Sequence, residues 1–384
     1  MKKIIIIFLL IIFTLLISFR ITAETKKSQL KKVNFENSKK CGECHKDIYN
    51  YWKNSLHSMS ITDPIFEASY LEAYKETEGK AKYLCVVCHA PIAAISEDYE
   101  IKKDISKEGI NCDFCHSIKD INLNQNIPFI IETGKIKYGP LYNVESPEHP
   151  ASFSSVHTTS LICASCHEYK NNNGVLILGT YSEWKNGPYN KEGVICQNCH
   201  MPAAPGYAVK ESIKRPTKKW INLHDISGSH SIIQLKKAVS IRILKTERVN
   251  NMVYVEVVME NVGSGHMIPT GIPSRKLILY VSVKTKSMEY PKIIRKEYFK
   301  LLVDEKGKEI QKDYDFFYSA TKVLMDNRLG PKEKRIEKFE FYSIPENEKV
   351  DVRAWVSYLY LPSIFKSEKI EFEMSSDEKK LIKK

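Results

Sequence analysis

Apolar residues divide the chain into three stretches. Residues 4–19 form an unbroken apolar run that follows Met-Lys-Lys and ends shortly before Ala23. From about Lys236 onward, β-branched and aromatic runs recur between turn residues, a pattern that is typical of strands. Between these two stretches no long apolar period is found, and we expect short, mostly helical elements there.

A charged start, a short apolar run and a small residue such as Ala23 are typical of an export signal. The run is slightly short for a membrane-spanning helix, and no second apolar run follows it. Two alternatives stay open, a signal (residues 1–23) cleaved after Ala23 and an uncleaved N-terminal anchor. In both cases we expect the folded part to lie outside the cytoplasm, in the periplasm or at the cell surface.

The C-terminal runs predict an all-β domain over residues 236–384. They lie at 253–258, 277–283, 338–341 and 352–360. Several short strands separated by turns over about 140 residues favour an antiparallel sandwich of the immunoglobulin-like kind. Such a domain serves either as a structural cap or as a docking or assembly module. For residues 375–384 we expect a loose charged tail.

Local signals in the middle of the chain predict individual elements. Asp63 before Pro64 indicates a helix start, with the carboxylate as cap and Pro in the first turn. Residues 171–174, Asn-Asn-Asn-Gly, indicate a turn before a short strand at 175–178. The expected fold is a short-helical, irregular domain over residues 24–235 followed by the sandwich, α+β overall with two domains.

All ten cysteines fall in the pattern Cys-x-x-Cys-His. Motif 1 is Cys41, Cys44 and His45; motif 2 is Cys85, Cys88 and His89; motif 3 is Cys112, Cys115 and His116; motif 4 is Cys163, Cys166 and His167; motif 5 is Cys196, Cys199 and His200. This pattern is typical of covalent haem c attachment, in which two thiols form thioethers and the following His binds the iron. The sequence therefore predicts five haems c.

Other uses of cysteine explain the pattern less well. Zinc sites take four ligands and need no His after each pair, and five pairs do not divide into such sites. A redox-active dithiol of the thioredoxin kind occurs once, in a βαβ setting. Disulfides between residues three apart would leave the five histidines unexplained.

Six histidines remain outside the motifs, and five haems with two His ligands each need five of them. The six are His57, His149, His157, His224, His230 and His266. Met59 and Met201 are the alternative axial ligands near the motifs, and we interpret both as packing residues. Iron with two His ligands has no free position, so it passes electrons without binding substrate.

The formal net charge of +12 does not indicate nucleic-acid binding. No basic stripe is interleaved with aromatic residues. Signal removal would take away Lys2, Lys3 and Arg20. Five haems would add roughly ten negative propionates, which surface Lys and Arg residues can neutralise.

Further stretches carry a family resemblance. They are Cys-Gly-Glu-Cys-His at 41–45 with Trp52, His57 and Ser58 after it, Cys-Asp-Phe-Cys-His at 112–116, Lys-Tyr-Gly-Pro at 137–140, Gly-Thr-Tyr at 179–181 with Glu183 and Trp184, and Gly-His-Met-Ile-Pro-Thr-Gly at 265–271. In these the chain resembles multihaem cytochromes of the cytochrome c-552/4 type with a C-terminal β-sandwich, although four haem motifs are common in that family and this chain has five. Some similar proteins form extracellular filaments, and the resemblance makes His266, His149 and His57 candidates for ligands shared between subunits.

Three functions follow from these features. The leading one is an electron carrier between redox partners, a quinol-linked donor cytochrome on one side and a terminal reductase or external acceptor on the other. The second is an enzyme, a multihaem reductase or oxidase of small nitrogen or sulfur compounds with one open haem. The third is a subunit of an electron-conducting filament, a homo-oligomer held by haem–haem contacts. We expect the carrier rather than the enzyme.

The motif count gives a first test. The mass of the purified, exported protein should exceed that of its polypeptide by five covalently bound haems, because each Cys-x-x-Cys-His motif attaches one. Intact mass spectrometry measures this difference, and a smaller count would leave at least one motif without haem.

Overall fold

The computed structural model describes residues 34–213, 219–365 and 368–381. The expected export signal, residues 1–23 with Ala23, lies outside these ranges. No helix within them is long and apolar enough to cross a membrane.

The motif-bearing region consists of short helices. In the described residues the α-helices up to residue 200 are α1 (Ser38–Gly42), α2 (Lys46–Trp52), α3 (Pro64–Glu76), α4 (Lys82–His89), α5 (Pro91–Ile95), α6 (Cys112–Cys115), α7 (Leu161–His167), α8 (Thr180–Lys185), α9 (Pro188–Lys191) and α10 (Cys196–His200). Two 3₁₀ helices span Asp104–Glu108 and Ser155–Thr158. With the exception of α3 these helices are shorter than the lengths that are stable alone, so their stability must come from contacts with the rest of the fold.

Small two-stranded sheets connect these helices. The strands are β1 (Ile118–Ile121) with β2 (Phe129–Ile131), β3 (Lys137–Gly139) with β4 (Ala151–Phe153), β5 (Tyr169–Lys170) with β6 (Leu176–Leu178), and β7 (Ala203–Pro205) with β8 (Trp220–Asn222). The β3–β4 pair is parallel and the other three pairs are antiparallel.

The helix start at Asp63 is confirmed. The Asp63 carboxylate accepts hydrogen bonds from the backbone N–H groups of Ile65 and Phe66, at 3.1 and 2.9 Å. Pro64 occupies the first turn, where its missing N–H costs nothing. The contact of Phe66 with the His89 ring then places α3 beside motif 2.

The predicted turn at residues 171–174 is also confirmed. The Asn171 side chain accepts hydrogen bonds from the backbone N–H groups of Asn173 and Val175, and Gly174 adopts a φ of +78°. The turn joins β5 to β6, which begins one residue later than expected, at Leu176.

The C-terminal region forms the predicted antiparallel sandwich. After α11 (Ile232–Ala238) the strands are β9 (Val239–Val249), β10 (Met252–Asn261), β11 (Arg275–Lys284), β12 (Lys292–Tyr298), β13 (Lys300–Val303), β14 (Lys322–Asp326), β15 (Lys334–Phe341), β16 (Val350–Tyr360) and β17 (Ile370–Leu381), with α12 (Asp315–Ser319) between β13 and β14. One sheet has the order β15-β10-β9, and the other has the order β12-β11-β16-β17. The four predicted runs lie within β10, β11, β15 and β16.

The sandwich encloses the largest hydrophobic core of the described residues. Alternate residues of β10, namely Val253, Val255 and Val257, are buried against Leu279 and Val281 of the opposite sheet. This alternation follows from the period of two along a strand, which turns every second side chain inward. Burial of each such side chain contributes about 1.5–3 kcal/mol to the free energy of unfolding.

The expectation of a loose tail at residues 375–384 is wrong for residues 375–381, and residues 382–384 lie outside the described ranges. β17 pairs with β16 along its full length, from Ile370 opposite Tyr360 to Leu381 opposite Val350. Met374 is buried in the core, and the Asp377 carboxylate accepts a hydrogen bond from the N–H of Ile243 at 2.7 Å. The charged residues indicated a tail because they lie on the solvent side of an edge strand, where they oppose aggregation.

A separate hydrophobic cluster joins the motif-bearing region to the sandwich. Val175 and Ile177 of the β5–β6 hairpin pack against Leu302 and Phe316 of the β13–α12 segment. The buried Lys300 ammonium donates to the carbonyls of Leu176 and Ile177, at 3.2 and 2.7 Å. The sandwich is therefore built into the motif-bearing region at this face.

The pairing of β17 with β16 can be tested by truncation. A chain ending at Lys369 should unfold at a lower temperature, since loss of the buried Met374 side chain alone costs about 2–5 kcal/mol. A chain ending at Leu381 is the matched control and should melt like the full-length protein. Far-UV circular dichroism follows the unfolding of the three chains. Equal melting temperatures for the full-length protein and both truncated chains would contradict the packing of β17 on the core.

Candidate haem centres

The five motifs lie on or beside helical turns. Motif 1 begins at the end of α1 and ends just before α2, and motif 3 coincides with α6 and ends at the following residue. Motifs 2 and 4 form the ends of α4 and α7, and motif 5 makes up the whole of α10. A spacing of three residues along a helix puts both thiols of a motif on one side. All ten thiols are free of disulfides, as thioether formation requires.

Four of the five motif histidines are fixed by backbone carbonyls. The Nδ1 atoms donate to carbonyl oxygens in these pairs: His45 to Ala208 (2.6 Å), His89 to Ser60 (2.8 Å), His116 to Tyr138 (2.6 Å) and His200 to Ser227 (2.7 Å). Metal-binding histidines usually make such a bond, because it fixes the tautomer and orients the ring. The Nε2 lone pair is then left for a metal.

Four motif histidines each face one of the remaining histidines. The ring centres are 6.2 Å apart for His45 and His149, 6.4 Å for His167 and His57, 5.8 Å for His116 and His157, and 6.4 Å for His200 and His266. Two imidazoles on opposite sides of one metal ion, each nitrogen about 2 Å from it, put the ring centres roughly 6 Å apart. All four separations fit an iron between the rings.

The protonation states also suit metal binding. Burial, together with the charge of neighbouring histidines, lowers the pKa of His57 and of His157 to about 4 and that of His167 to about 3. These rings are therefore neutral at pH 7, the form that has a lone pair for a metal. The Nδ1 atom of His157 is buried and has no hydrogen-bond partner, while its Nε2 atom lies 3.1 Å from the Cys115 carbonyl. The residues of these four pairs thus fit bis-His haems.

Motif 2 differs from the other four. The His89 ring stacks face to face on Phe66, with ring centres 3.6 Å apart and planes at 13°. No histidine ring pairs with it in the described parts of the chain. His224 and His230 are likewise left without a ring partner among the described histidines, so the structure brings together four of the six expected distal ligands.

Cysteines of different motifs contact each other. In three pairs the thiols lie close enough to shift each other's pKa, Cys41 with Cys112, Cys88 with Cys166 and Cys163 with Cys196. Motif 1 therefore lies beside motif 3, and motif 4 lies beside both motif 2 and motif 5. The attachment points for neighbouring haems are within contact distance of each other.

Some contributors to the centres give no signal in the sequence. The carbonyls of Ala208 and Ser227 bind through the backbone, so their side chains carry no information, whereas the Ser60 hydroxyl also donates to the His89 carbonyl at 2.7 Å. The pair of Asp113 and Lys137 could have been found, since Asp113 lies inside motif 3 and Lys137 in the Lys-Tyr-Gly-Pro stretch. Their side chains meet at 2.5 Å with Asp113 fully buried, and this ion pair holds the Tyr138 carbonyl against His116.

The ring pairs predict the effect of removing one ligand. His57→Ala, or His157→Ala, should convert one haem from low-spin to high-spin without loss of its thioethers, and added imidazole should restore the low-spin state. Electron paramagnetic resonance counts both states. Ser58→Ala is the control and should leave every haem unchanged. Fully low-spin spectra in both His variants would refute these two ligand assignments.

Three comparisons with known proteins bear on these centres. Residues 40–117, which include motifs 1 to 3, match the family described as cytochrome c554 and c-prime. The solved structure of a penta-haem cytochrome c552 from Thermochromatium tepidum is similar with a TM-score of 0.72 and 23% identity, over 91% of this chain and 100% of that chain. No curated protein matches the sequence.

Two other solved structures match weakly. A β-glucosidase from Kluyveromyces marxianus reaches a TM-score of 0.18 at 12% identity, over 38% of this chain and 14% of that chain. The sporulation control protein Spo0M from Bacillus subtilis reaches 0.15 at 11% identity, over 38% and 48%. Scores this low carry no argument.

The expected fold is confirmed, and this haem c-binding chain is similar to multihaem c-type cytochromes of the cytochrome c-552/4 type that carry a C-terminal β-sandwich.

Proposed function

We propose that the protein carries five covalently attached haems and transfers electrons between redox partners outside the cytoplasm. The observation that carries this proposal is the set of four facing His pairs, each with the ring separation that one iron requires. The similarity to a penta-haem cytochrome c552 supports the count of five.

Two histidines per iron favour transfer over catalysis. A bound haem supplies an iron that takes up and releases one electron at a time. The imidazoles of a pair such as His116 and His157 would hold the iron from both sides, so no substrate would reach it.

The contacts between motifs indicate the route. The three thiol pairs put motif 1 next to motif 3, motif 2 next to motif 4, and motif 4 next to motif 5. Burial and the nearby Cys166 of motif 4 also raise the pKa of Cys115 of motif 3, because the two thiols lie near each other. We infer a branched route in which motif 4 is the junction of motifs 2, 3 and 5.

The partners follow from this role and from the expected export signal. We propose a quinol-linked cytochrome as donor and a terminal reductase or an external oxidant as acceptor, in the periplasm or at the cell surface. His57, His149 and His266 each face a histidine of the same chain. This arrangement favours ligation within one subunit over ligands shared between subunits.

One observation favours a second function. His89 is the motif histidine that faces Phe66 rather than a histidine. A haem held there by Cys85, Cys88 and His89 alone would leave its iron free to bind a small molecule, which would suit a reductase or oxidase of small nitrogen or sulfur compounds. His230 is the competing ligand, since Asp63 acts electrostatically on both His230 and His89.

Protein-film voltammetry separates the two functions. A carrier should give reversible signals that integrate to five electrons, and nitrite, hydroxylamine or tetrathionate should add no catalytic current. A catalytic current with any of these compounds would favour the enzyme.

The His57→Ala variant is the positive control, since it opens one iron and should bind carbon monoxide when reduced. If the unmodified protein binds one equivalent of carbon monoxide, the haem of motif 2 is open. If it binds none and His230→Ala binds one, His230 is its ligand.

A further inference from the structure

Helix α8 lies where the sandwich meets the motif-bearing region. Glu183 on this helix accepts a hydrogen bond from the Thr270 hydroxyl at 2.7 Å and forms an ion pair with Arg328, also at 2.7 Å. The Thr180 hydroxyl lies 2.8 Å from that of Thr270. The side chains of Glu183 and Arg328 are only 10% and 6% exposed, so their charges depend on each other.

Arg328 grips the loop that carries His266. Its guanidinium donates to the Pro269 carbonyl at 3.0 Å and forms two bonds of 2.8 Å with the Asp326 carboxylate. Ile268 and Leu329 exchange backbone hydrogen bonds at 2.9 and 3.0 Å. The loop from His266 to Thr270 is therefore held at its middle and at its end.

The other contacts of α8 reach motifs 4 and 5. The Ser182 backbone N–H and hydroxyl donate to Glu168, the residue after His167, at 3.0 and 2.5 Å. The Trp184 indole N–H donates to the Val194 carbonyl at 2.8 Å, two residues before Cys196. Gly265 packs closely on Trp184, since a Cβ there would lie 3.4 Å from the Trp184 ring. The same short helix thus contacts both motifs and the His266 loop.

We propose that Glu183, Arg328 and Thr270 are positioning residues that hold His266 of the sandwich as the sixth ligand of the haem at motif 5. This goes beyond electron transfer and rests on the pairing of His266 with His200. A buried ion pair costs desolvation and gives little net stability. Its value here is geometric, because it fixes a ligand from one region over an iron held by the other.

The test uses the holoprotein and its spin states. Glu183→Gln leaves Arg328 without its carboxylate partner on α8, so the His266 loop should detach and one haem per molecule should become high-spin. Added imidazole should restore that haem. His266→Ala should give the same spectrum, and the double variant should open no second haem.

Glu297→Gln is the matched control. Glu297 pairs with Lys276 at 3.0 Å on neighbouring strands of the sandwich, with partial exposure of both side chains. This variant should leave all haems low-spin.

Substitutions at Thr270 test the same proposal if the Glu183→Gln variant does not fold. Thr270→Val removes the hydroxyl at nearly constant volume and should open the same haem in part, while Thr270→Ser should retain it. If Glu183→Gln or Thr270→Val keeps every haem low-spin, with unchanged reduction potentials, the positioning role is overturned. If His266→Ala itself keeps every haem low-spin, the ligand assignment fails and electron transfer is unaffected.

Discussion

The constraint on which this structure depends is that the two imidazoles of each proposed bis-His haem site face each other at roughly 6 Å, the separation that one iron would require. The paired histidines lie far apart along the chain, as in His45 with His149 and His57 with His167. The chain between them must therefore turn back repeatedly, which accounts for short helices and two-residue to four-residue strands. The two hydrophobic clusters within the motif-bearing region are small. Ligand bonds and haem surface must then supply much of the cohesion, as they do where metal binding is coupled to folding.

The sandwich has the opposite construction. Long paired strands bury a continuous apolar core that needs no cofactor. Its connection to the motif-bearing region is both apolar, through Ile177 and Leu302, and ionic, through Glu183 and Arg328. A rigid body of this kind is suited to presenting one histidine, His266, at a fixed place.

The sequence predicted the residues of the candidate haem centres in more detail than the fold that surrounds them. Cys-x-x-Cys-His spacing identifies attachment sites directly, because the chemistry is local. The facing partners could be narrowed to six histidines but not paired, since pairing depends on where distant loops such as that of His149 return. The strands of the sandwich were predicted from apolar runs, whereas β17 was mistaken for a tail because its outward side chains are charged. Asp326 and Arg328 gave no signal, since a buried ion pair is identical in sequence to two surface charges.

The carbonyl oxygens that orient His45, His116 and His200 belong to residues whose side chains take no part in that bond. At His89 the Ser60 hydroxyl also donates to the His89 carbonyl, at 2.7 Å. Almost any amino acid other than one that distorts the backbone supplies the same oxygen at the same place. Iron chemistry that is tuned in this way is tolerant of mutation. Lineages carrying such a protein are free to drift at these three positions while the basicity of each ligand, and with it the redox behaviour, stays the same.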